Sequence, residues 1–204
     1  MESNPSPPPG RRDPSRTKQH LLEQATSLFE ESGFATPVRV LLERTQLPPP
    51  TLYRYFRDLA PPPYNGGKDG LIVAVVTQWT VDWQAWMDQV LSRRGSPQDR
   101  VARLFTELER WLKARQWRGS LAANAAAEIA DPNHPVHKVI ANHRSEVRDR
   151  LRALAAEAGV ADPSDAARLL QVLLDGAMAG ARMEHGPGPV RVARDAARLV
   201  LASN

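Results

Sequence analysis

Apolar residues recur at steps of three and four along the chain from Ser15 onward. This spacing is typical of one face of an α-helix, and no window shows the sustained period-two alternation of a half-buried β-strand. The apolar stripes lie at about residues 21–29, 38–42, 52–56, 71–90, 101–112, 120–130, 136–158, 169–181 and 192–200. The pattern therefore predicts an all-α fold of nine helices.

Proline marks several predicted helix starts. The pairs that place a capping oxygen before a proline are Asp13-Pro14, Thr36-Pro37, Ser96-Pro97 and Asp162-Pro163. The oxygen accepts a free backbone N–H, and proline at the first helical position gives up no hydrogen bond. Two segments rich in proline and glycine, 57–67 and 186–189, interrupt the pattern. We expect the first to be a loop and the second a sharp break before the last helix.

Composition narrows the class of protein. The 204 residues are 42% hydrophobic, which suits one or two globular domains with a real core. The absence of cysteine excludes disulfides and cysteine-based zinc sites. The chain has no apolar run near the roughly 20 residues of a membrane span, and no secretory signal, so we expect a cytoplasmic protein without a membrane partner. Residues 1–14, polar and rich in proline, are expected to be a disordered arm.

A short helix, a tight connection and a second short helix are predicted between residues 36 and 56, the size of a helix-turn-helix. In the second helix Leu52 and Phe56 would face the core, and Thr51, Tyr53 and Arg54 would be exposed to a DNA major groove. An ordinary helix pair with core aromatics fits the pattern as well. Four arginines and two acidic residues in 36–58 leave a charge of only +2, which does not decide between them.

Several side chains here suit DNA contacts. The hydroxyls of Tyr53 and Tyr55 can bond phosphate oxygens, and Arg54 can meet a phosphate or the edge of a guanine. As a helix cap, Thr36 would present its hydroxyl and amide to a phosphate.

The segment Ser15–Phe56 resembles the N-terminal region of the tetracycline-repressor (TetR) family. The matching features are Gly33-Phe34, Thr36-Pro37-Val38-Arg39, Thr51-Leu52-Tyr53-Arg54-Tyr55-Phe56 and Lys68-Asp69-Gly70-Leu71. Arg118–Ala181 resembles the ligand domain of one branch, through Asn124–Glu128, Asp131-Pro132 and His134-Pro135. The resemblance implies a three-helix helix-turn-helix domain over 15–67, with an extended loop at 57–67, and a helical ligand-binding and dimerisation domain over 68–204.

The resemblance also implies which residues contact DNA: Thr36, Arg39, Thr51, Tyr53, Tyr55 and Lys68, with base contacts near Pro48 and Pro49. Three features depart from the family pattern. Gln46 stands where glycine is usual, so it must accept a positive φ or the turn must differ. Three prolines, 48–50, remove backbone donors at the start of the second helix. Eleven residues, rather than two or three, separate Phe56 from Lys68 and could hold that lysine away from DNA, in which case Arg57 could replace it.

Tryptophans predict a ligand cavity in the second domain. Trp83, Trp86 and Trp111 cannot all face one core direction, and ligand pockets are mostly apolar with a few convergent polar groups. The predicted ligand contacts are Trp83, Trp86, Phe105, Leu108, Trp111, Asn124, Glu128, His143 and Met178. Each aromatic residue could instead belong to the core, and each polar one could be a solvated or capping residue.

No metal or other cofactor is expected. The histidines at 137 and 143 lie on different faces of one predicted helix, and His134 before a proline fits a helix start. No phosphate-loop motif, no HExxH motif and no cysteine nucleophile points to an enzyme.

The resemblance implies a homodimer formed through about 164–184 and 190–201. Small residues at 176–181 would let another helix approach closely, although packing within the chain explains them as well. The implied function is a repressor that binds double-stranded operator DNA and is released by an unidentified small-molecule effector, through a population shift in which the fourth helix swings. The alternatives are a helical small-molecule-binding protein with a decayed DNA reader, and an all-helical enzyme.

Overall fold

The computed structural model describes residues 14–202, which form α-helices, one 3₁₀ turn and connecting loops, without a strand in that range. The α-helices are α1 Pro14–Ser32, α2 Val38–Thr45, α3 Pro49–Phe56, α4 Lys68–Leu91, α5 Pro97–Ala114, α6 Leu121–Glu128, α7 Pro135–Glu157, α8 Pro163–Glu184 and α9 Gly188–Val200. The all-α architecture of nine helices is confirmed. No helix within 14–202 has both the length and the apolar character needed to cross a membrane.

The first three helices bury their apolar side chains in a core that they share with α4. The stripe predicted for α1 is buried at Leu21, Ala25, Leu28 and Phe29. The ring of Phe29 lies 4.9 Å, centroid to centroid, from that of Phe34, which follows the end of α1. This contact fixes where the chain leaves α1 and therefore where α2 and α3 lie.

The long helix α4 is the centre of the molecule. It packs against α1, α3, α5, α6 and α7. Helix α8 packs against α7 and α9, and α9 also packs against α5. Helix α4 therefore contacts both the N-terminal helices and the helices that follow it.

Helix caps follow the sequence in three places. Ser96 accepts a hydrogen bond from the Asp99 amide at 3.1 Å, and Asp162 accepts from the amides of Ser164 and Asp165. His134 caps α7, with its Nδ1 accepting from the Val136 amide at 3.2 Å.

The cap expected at Thr36 is wrong. The N-cap of α2 is Pro37, and the Thr36 hydroxyl instead donates to the Gly33 carbonyl at 2.8 Å, which ties it to the end of α1. The break at 186–189 is also shorter than expected, since α9 already begins at Gly188. The predicted arm lies outside the described residues except for Pro14, the first residue of α1, and so does the predicted cap Asp13.

Candidate DNA-reading surface and ligand cavity

Helix α3 presents one face to solvent. Leu52 and Phe56 are buried, with 1% and 0% exposure, whereas Arg54 is exposed and Tyr53 is 46% exposed. Two buried apolar side chains four residues apart hold the helix against the core, and the opposite face is left accessible. The structure thus has the exposed second helix that a helix-turn-helix needs to enter a major groove.

The turn before α3 keeps the family geometry without glycine. Gln46 adopts the left-handed region, with φ 51° and ψ 37°. Pro48 then forms the N-cap of α3, and Pro49 and Pro50 occupy its first two positions. The first amide available in this stretch, that of Thr51, donates to the Pro48 carbonyl at 3.0 Å. The start of α3 therefore presents exposed proline rings to solvent in place of backbone N–H groups.

The polar side chains on and beside α3 differ in their exposure and in the contacts that they already make. Arg54 lies over the Tyr55 ring, 4.7 Å from its centroid, and donates to the Tyr55 hydroxyl at 2.8 Å. Arg39 is exposed, and Thr51 is half-buried. Thr36 is only 8% exposed, so a phosphate would have to replace the bond of its hydroxyl to Gly33.

The 57–67 loop brings the start of α4 into contact with α3. A Cβ at Gly67 would lie 2.9 Å from the Tyr53 ring, and one at Gly70 would overlap the Phe56 carbonyl oxygen. Lys68 follows Gly67 at the first position of α4, so the long loop does not separate it from the recognition helix. Burial lowers the pKa of Lys68, and the negative charges of Asp69 and Glu128 partly oppose this lowering.

A set of contacts joins the helix-turn-helix to α6 and the α6–α7 connection. The Phe34 amide donates to Glu128 Oε2 at 2.6 Å. The Tyr64 hydroxyl, in the 57–67 loop, donates to Asp131 Oδ2 at 2.9 Å, and the ring packs edge-on against His134. Glu128, a predicted ligand contact, does not line the cavity described next. As the last residue of α6, it reaches toward the end of α1 instead.

A cavity of about 460 Å³ lies between α4, α6, α7 and α8. Three predicted ligand residues, Trp83, His143 and Met178, line it. The wall on the α6 side consists largely of alanines, at 122, 123, 126 and 127. Sequence analysis missed these residues because alanines in a helix carry no signal beyond helix propensity.

The other predicted ligand residues lie elsewhere. Asn124 lines an adjoining cavity of about 410 Å³ that also contacts α8. Trp86 and Trp111 line a separate cleft of about 320 Å³ between α1, α4 and α5, and Trp83 borders both this cleft and the main cavity. Phe105 and Leu108 are buried core residues, 1% and 0% exposed, and line none of these spaces.

The aromatic wall contains a neutral histidine. Trp79 and Trp83 stack with centroids 5.4 Å apart, and the His143 ring lies 5.5 Å from Trp79 and 6.4 Å from Trp83. Burial, together with the positive charges of Arg144 and Arg150, lowers the pKa of His143 to about 4. His143 is therefore an uncharged hydrogen-bonding group at neutral pH.

Polar groups at the cavity edge bond to one another. Arg144 pairs with Asp175 at 2.8 Å. Gln171 accepts from Arg148 and donates to the Arg144 carbonyl, each at 2.9 Å. These residues were missed because in sequence they look like the solvated face of an amphipathic helix. Within residues 14–202, no group of three His, Asp or Glu residues is arranged to hold a metal ion.

Comparisons with known proteins agree with this geometry, although no family model matches the chain. A TetR-family transcriptional regulator from Streptomyces coelicolor superimposes with a TM-score of 0.82 and 28% identity, covering 92% of this chain and 95% of that one. Reduced NemR of Escherichia coli gives 0.75 and 20%, covering 90% and 96%. The HTH-type transcriptional regulator YjdC of Escherichia coli (strain K12) is 22% identical over 186 residues, covering 90% of this chain and 93% of YjdC. Together with the exposed recognition helix, these similarities identify the chain as a transcriptional regulator of the TetR type.

Proposed function

We propose that this regulator is a homodimeric repressor, which places α3 in the major groove of operator DNA and leaves it when a small molecule enters the α4–α6–α7–α8 cavity. The observation that carries the proposal is the exposed face of α3, held in place by the burial of Leu52 and Phe56. In this proposal the chain acts by binding alone and catalyses no reaction.

The chemistry of the α3 surface supports DNA contacts. Arg54, Tyr53 and Tyr55 supply charge and hydroxyls for phosphates or base edges, and Arg39 and Lys68 extend the basic edge on α2 and α4. The exposed rings of Pro48 and Pro49 suit thymine methyl groups, which are the apolar feature of the major groove. Because prolines lack amides, most phosphate contacts fall to side chains in this proposal.

An apolar stripe on α8 supports the dimer. Leu169, Val172, Gly176, Ala179 and Met183 are all exposed, and they follow one another at steps of three and four along one helix face. The space around a Cβ at Gly176 is empty to 4 Å, so a second helix can approach closely there. On α9, Val192 adds an exposed apolar side chain, 71% accessible. A second copy covering these faces would pair two recognition helices for two half-sites.

Helix α6 supplies a physical link between effector and DNA. Its alanines line the cavity, and its last residue, Glu128, holds the Phe34 amide at the end of α1. A ligand that moves α6 would therefore change the position of the helix-turn-helix relative to the cavity. A coupling free energy of about 1–3 kcal/mol is typical for such linked sites.

Fluorescence anisotropy with DNA from upstream of the chain's own gene tests DNA binding. Arg54→Ala should weaken binding about 5- to 150-fold, because a base or phosphate contact by arginine contributes about 1–3 kcal/mol. The matched control is Arg152→Ala on α7. The Arg152 side chain pairs with the nearby Asp149, and its removal should leave the affinity within about twofold of the wild type. No binding by the wild-type chain at low salt, or equal loss in both variants, would contradict the proposal.

Sedimentation velocity tests the dimer. Val172→Glu places a charge in the α8 stripe and should give a monomer, because an unpaired charge is costly to bury. Val81→Glu is the control, since Val81 is also an exposed valine, on α4, outside the stripe. A dimer that survives Val172→Glu as well as Val81→Glu would place the interface elsewhere.

A binding protein with a decayed reader is the second candidate. The three prolines at the start of α3 favour it, because they remove amides that could have met a phosphate. The anisotropy experiment separates the two, since only the repressor binds the upstream DNA.

A further inference from the structure

Two residues that line the cavity between α4, α6, α7 and α8 carry a buried polar atom without a hydrogen-bond partner among residues 14–202. These residues, Trp83 and His143, are 3% and 9% exposed. Trp83 Nε1 and His143 Nδ1 are buried and have no hydrogen-bond partner among residues 14–202. Buried polar atoms in folded proteins almost always have a partner, so an unsatisfied pair in a cavity wall indicates where a ligand's polar group belongs.

The two atoms together favour a hydroxyl group. An indole N–H can only donate, whereas a neutral imidazole has one donor and one acceptor nitrogen. A hydroxyl accepts from Trp83 and can donate to His143, so it satisfies both. The ring centroids of the two side chains lie 6.4 Å apart, so both residues border the same part of the cavity.

The charges around the cavity argue against a charged ligand. Arg144 and Asp175 are the only charged residues in its lining within 14–202, and they are paired at 2.8 Å. His143 is uncharged at neutral pH, for the reasons given above. An ionic ligand would lose its hydration on entering the cavity and would find no unpaired opposite charge there. Its burial would therefore be unfavourable.

Apart from Ser120 and Gln171, the remaining lining is apolar. Ala126 and Ala127 on α6 face Ile140, Val147 and Leu174 across the cavity. A rigid ring system fills such a space with little loss of conformational entropy. The geometry points to an uncharged aromatic effector with one hydroxyl group, whose oxygen bonds the Trp83 indole and the His143 imidazole. This inference rests on the proposed function, since it assigns a ligand class to the same cavity.

Isothermal titration calorimetry with four naphthalene probes on the full chain tests the assignment. The probes are 2-naphthol, naphthalene, 2-naphthoate and 2-naphthylmethylammonium, which share one ring system and differ in polar group and charge. We expect 2-naphthol to bind about tenfold or more tightly than each of the other three, the gain of roughly one or two hydrogen bonds.

Two substitutions and a control locate the bonds. Trp83→Phe and His143→Phe each keep a ring but remove a partner atom, so each should bring 2-naphthol toward the affinity of naphthalene. Trp86→Phe, on the same helix but lining the α1–α4–α5 cleft, should leave the preference intact. If either variant fails to fold, the wild-type comparison of the four probes still decides.

The assignment is overturned if 2-naphthoate or the ammonium probe binds as tightly as 2-naphthol, if the preference survives in both variants, or if no probe binds. Anisotropy with upstream DNA distinguishes this from failure of the proposed function. A chain that binds DNA but not 2-naphthol refutes the ligand class alone, whereas a chain that binds 2-naphthol but not DNA refutes the repressor alone.

Discussion

Glu128 offers the sharpest test of how the two groups of helices are joined. Its Oε2 accepts a hydrogen bond from the Phe34 amide at 2.6 Å, and Phe34 itself is 3% exposed. Glu128→Ala removes the acceptor and leaves that amide without a partner. Glu128→Gln keeps an oxygen acceptor but removes the charge.

The cost follows from this geometry. A buried donor that loses its acceptor costs about 1–3 kcal/mol. The rest of the Glu128 side chain is exposed, so water can reach the vacated position, and we expect the lower half of that range, about 1–2 kcal/mol. For a chain of this length the loss corresponds to a fall in Tm of about 2–8 °C. Glu128→Gln should lose less than about 1 kcal/mol, since a neutral hydrogen bond is roughly half as strong as a charge-assisted one.

Urea unfolding and amide hydrogen exchange measure the two consequences. In Glu128→Ala the Phe34 amide should exchange about 5- to 30-fold faster, the factor that corresponds to 1–2 kcal/mol. The control is Glu157→Ala, because Glu157 is likewise the last residue of its helix but forms an exposed ion pair with Arg100. Such pairs contribute about 0–1 kcal/mol. Unchanged stability together with unchanged Phe34 exchange in Glu128→Ala would refute the reasoning.

Four further substitutions, at three positions, test the turn, the α3–α4 contact and the buried histidine. Gln46→Gly should leave the free energy of unfolding unchanged or raise it by up to about 1 kcal/mol. Gln46→Val should lower it by about 1 kcal/mol or more, because a β-branched side chain is strained at positive φ. Equal urea midpoints for the two variants would contradict the left-handed turn. Gly70→Ala should lower the free energy of unfolding by about 1–3 kcal/mol, since its Cβ meets the Phe56 carbonyl, and a wild-type melting curve would contradict that contact. The lowered pKa of His143 means that the unfolded chain binds a proton more readily than the folded chain between about pH 4 and 6.5, so stability falls as the pH falls through this window. At pH 4 the wild type should have lost about 3 kcal/mol of stability through this group, a loss that His143→Phe cannot show because it has no titrating side chain there. Parallel pH profiles of stability for the two proteins would show that burial does not keep the histidine neutral.

The departures at the recognition helix have separate structural outcomes. Gln46 accepts the backbone conformation that glycine usually supplies, so the turn is retained. The long 57–67 loop is accommodated because Gly67 and Gly70 let α4 begin directly against α3. Within the loop, the Tyr64 hydroxyl donates a hydrogen bond to Asp131 and thus adds a contact to the α6–α7 connection. The prolines alone change the chemistry of the exposed start of α3, where they remove backbone N–H groups.

Local sequence determined the helices and the two faces of α3. Apolar periodicity acts over one or two turns, and a cap such as Ser96 or Asp162 bonds amides two or three residues away, so neighbours in sequence suffice to predict them. The same holds for Leu52 and Phe56, whose spacing of four residues places both on one side of a helix.

Only tertiary structure decided which polar and aromatic residues share a site. Glu128 meets a residue 94 positions away, and Gln171 bonds a carbonyl 27 positions away, so no local pattern separates them from solvated side chains. Trp83 and Trp86 lie within one turn of α4, yet only Trp83 reaches the main cavity, because α6 and α7 cover that side of the helix while α1 and α5 flank the other. Periodicity sets the angle at which a side chain leaves its helix, but the packing of distant helices decides what it meets there.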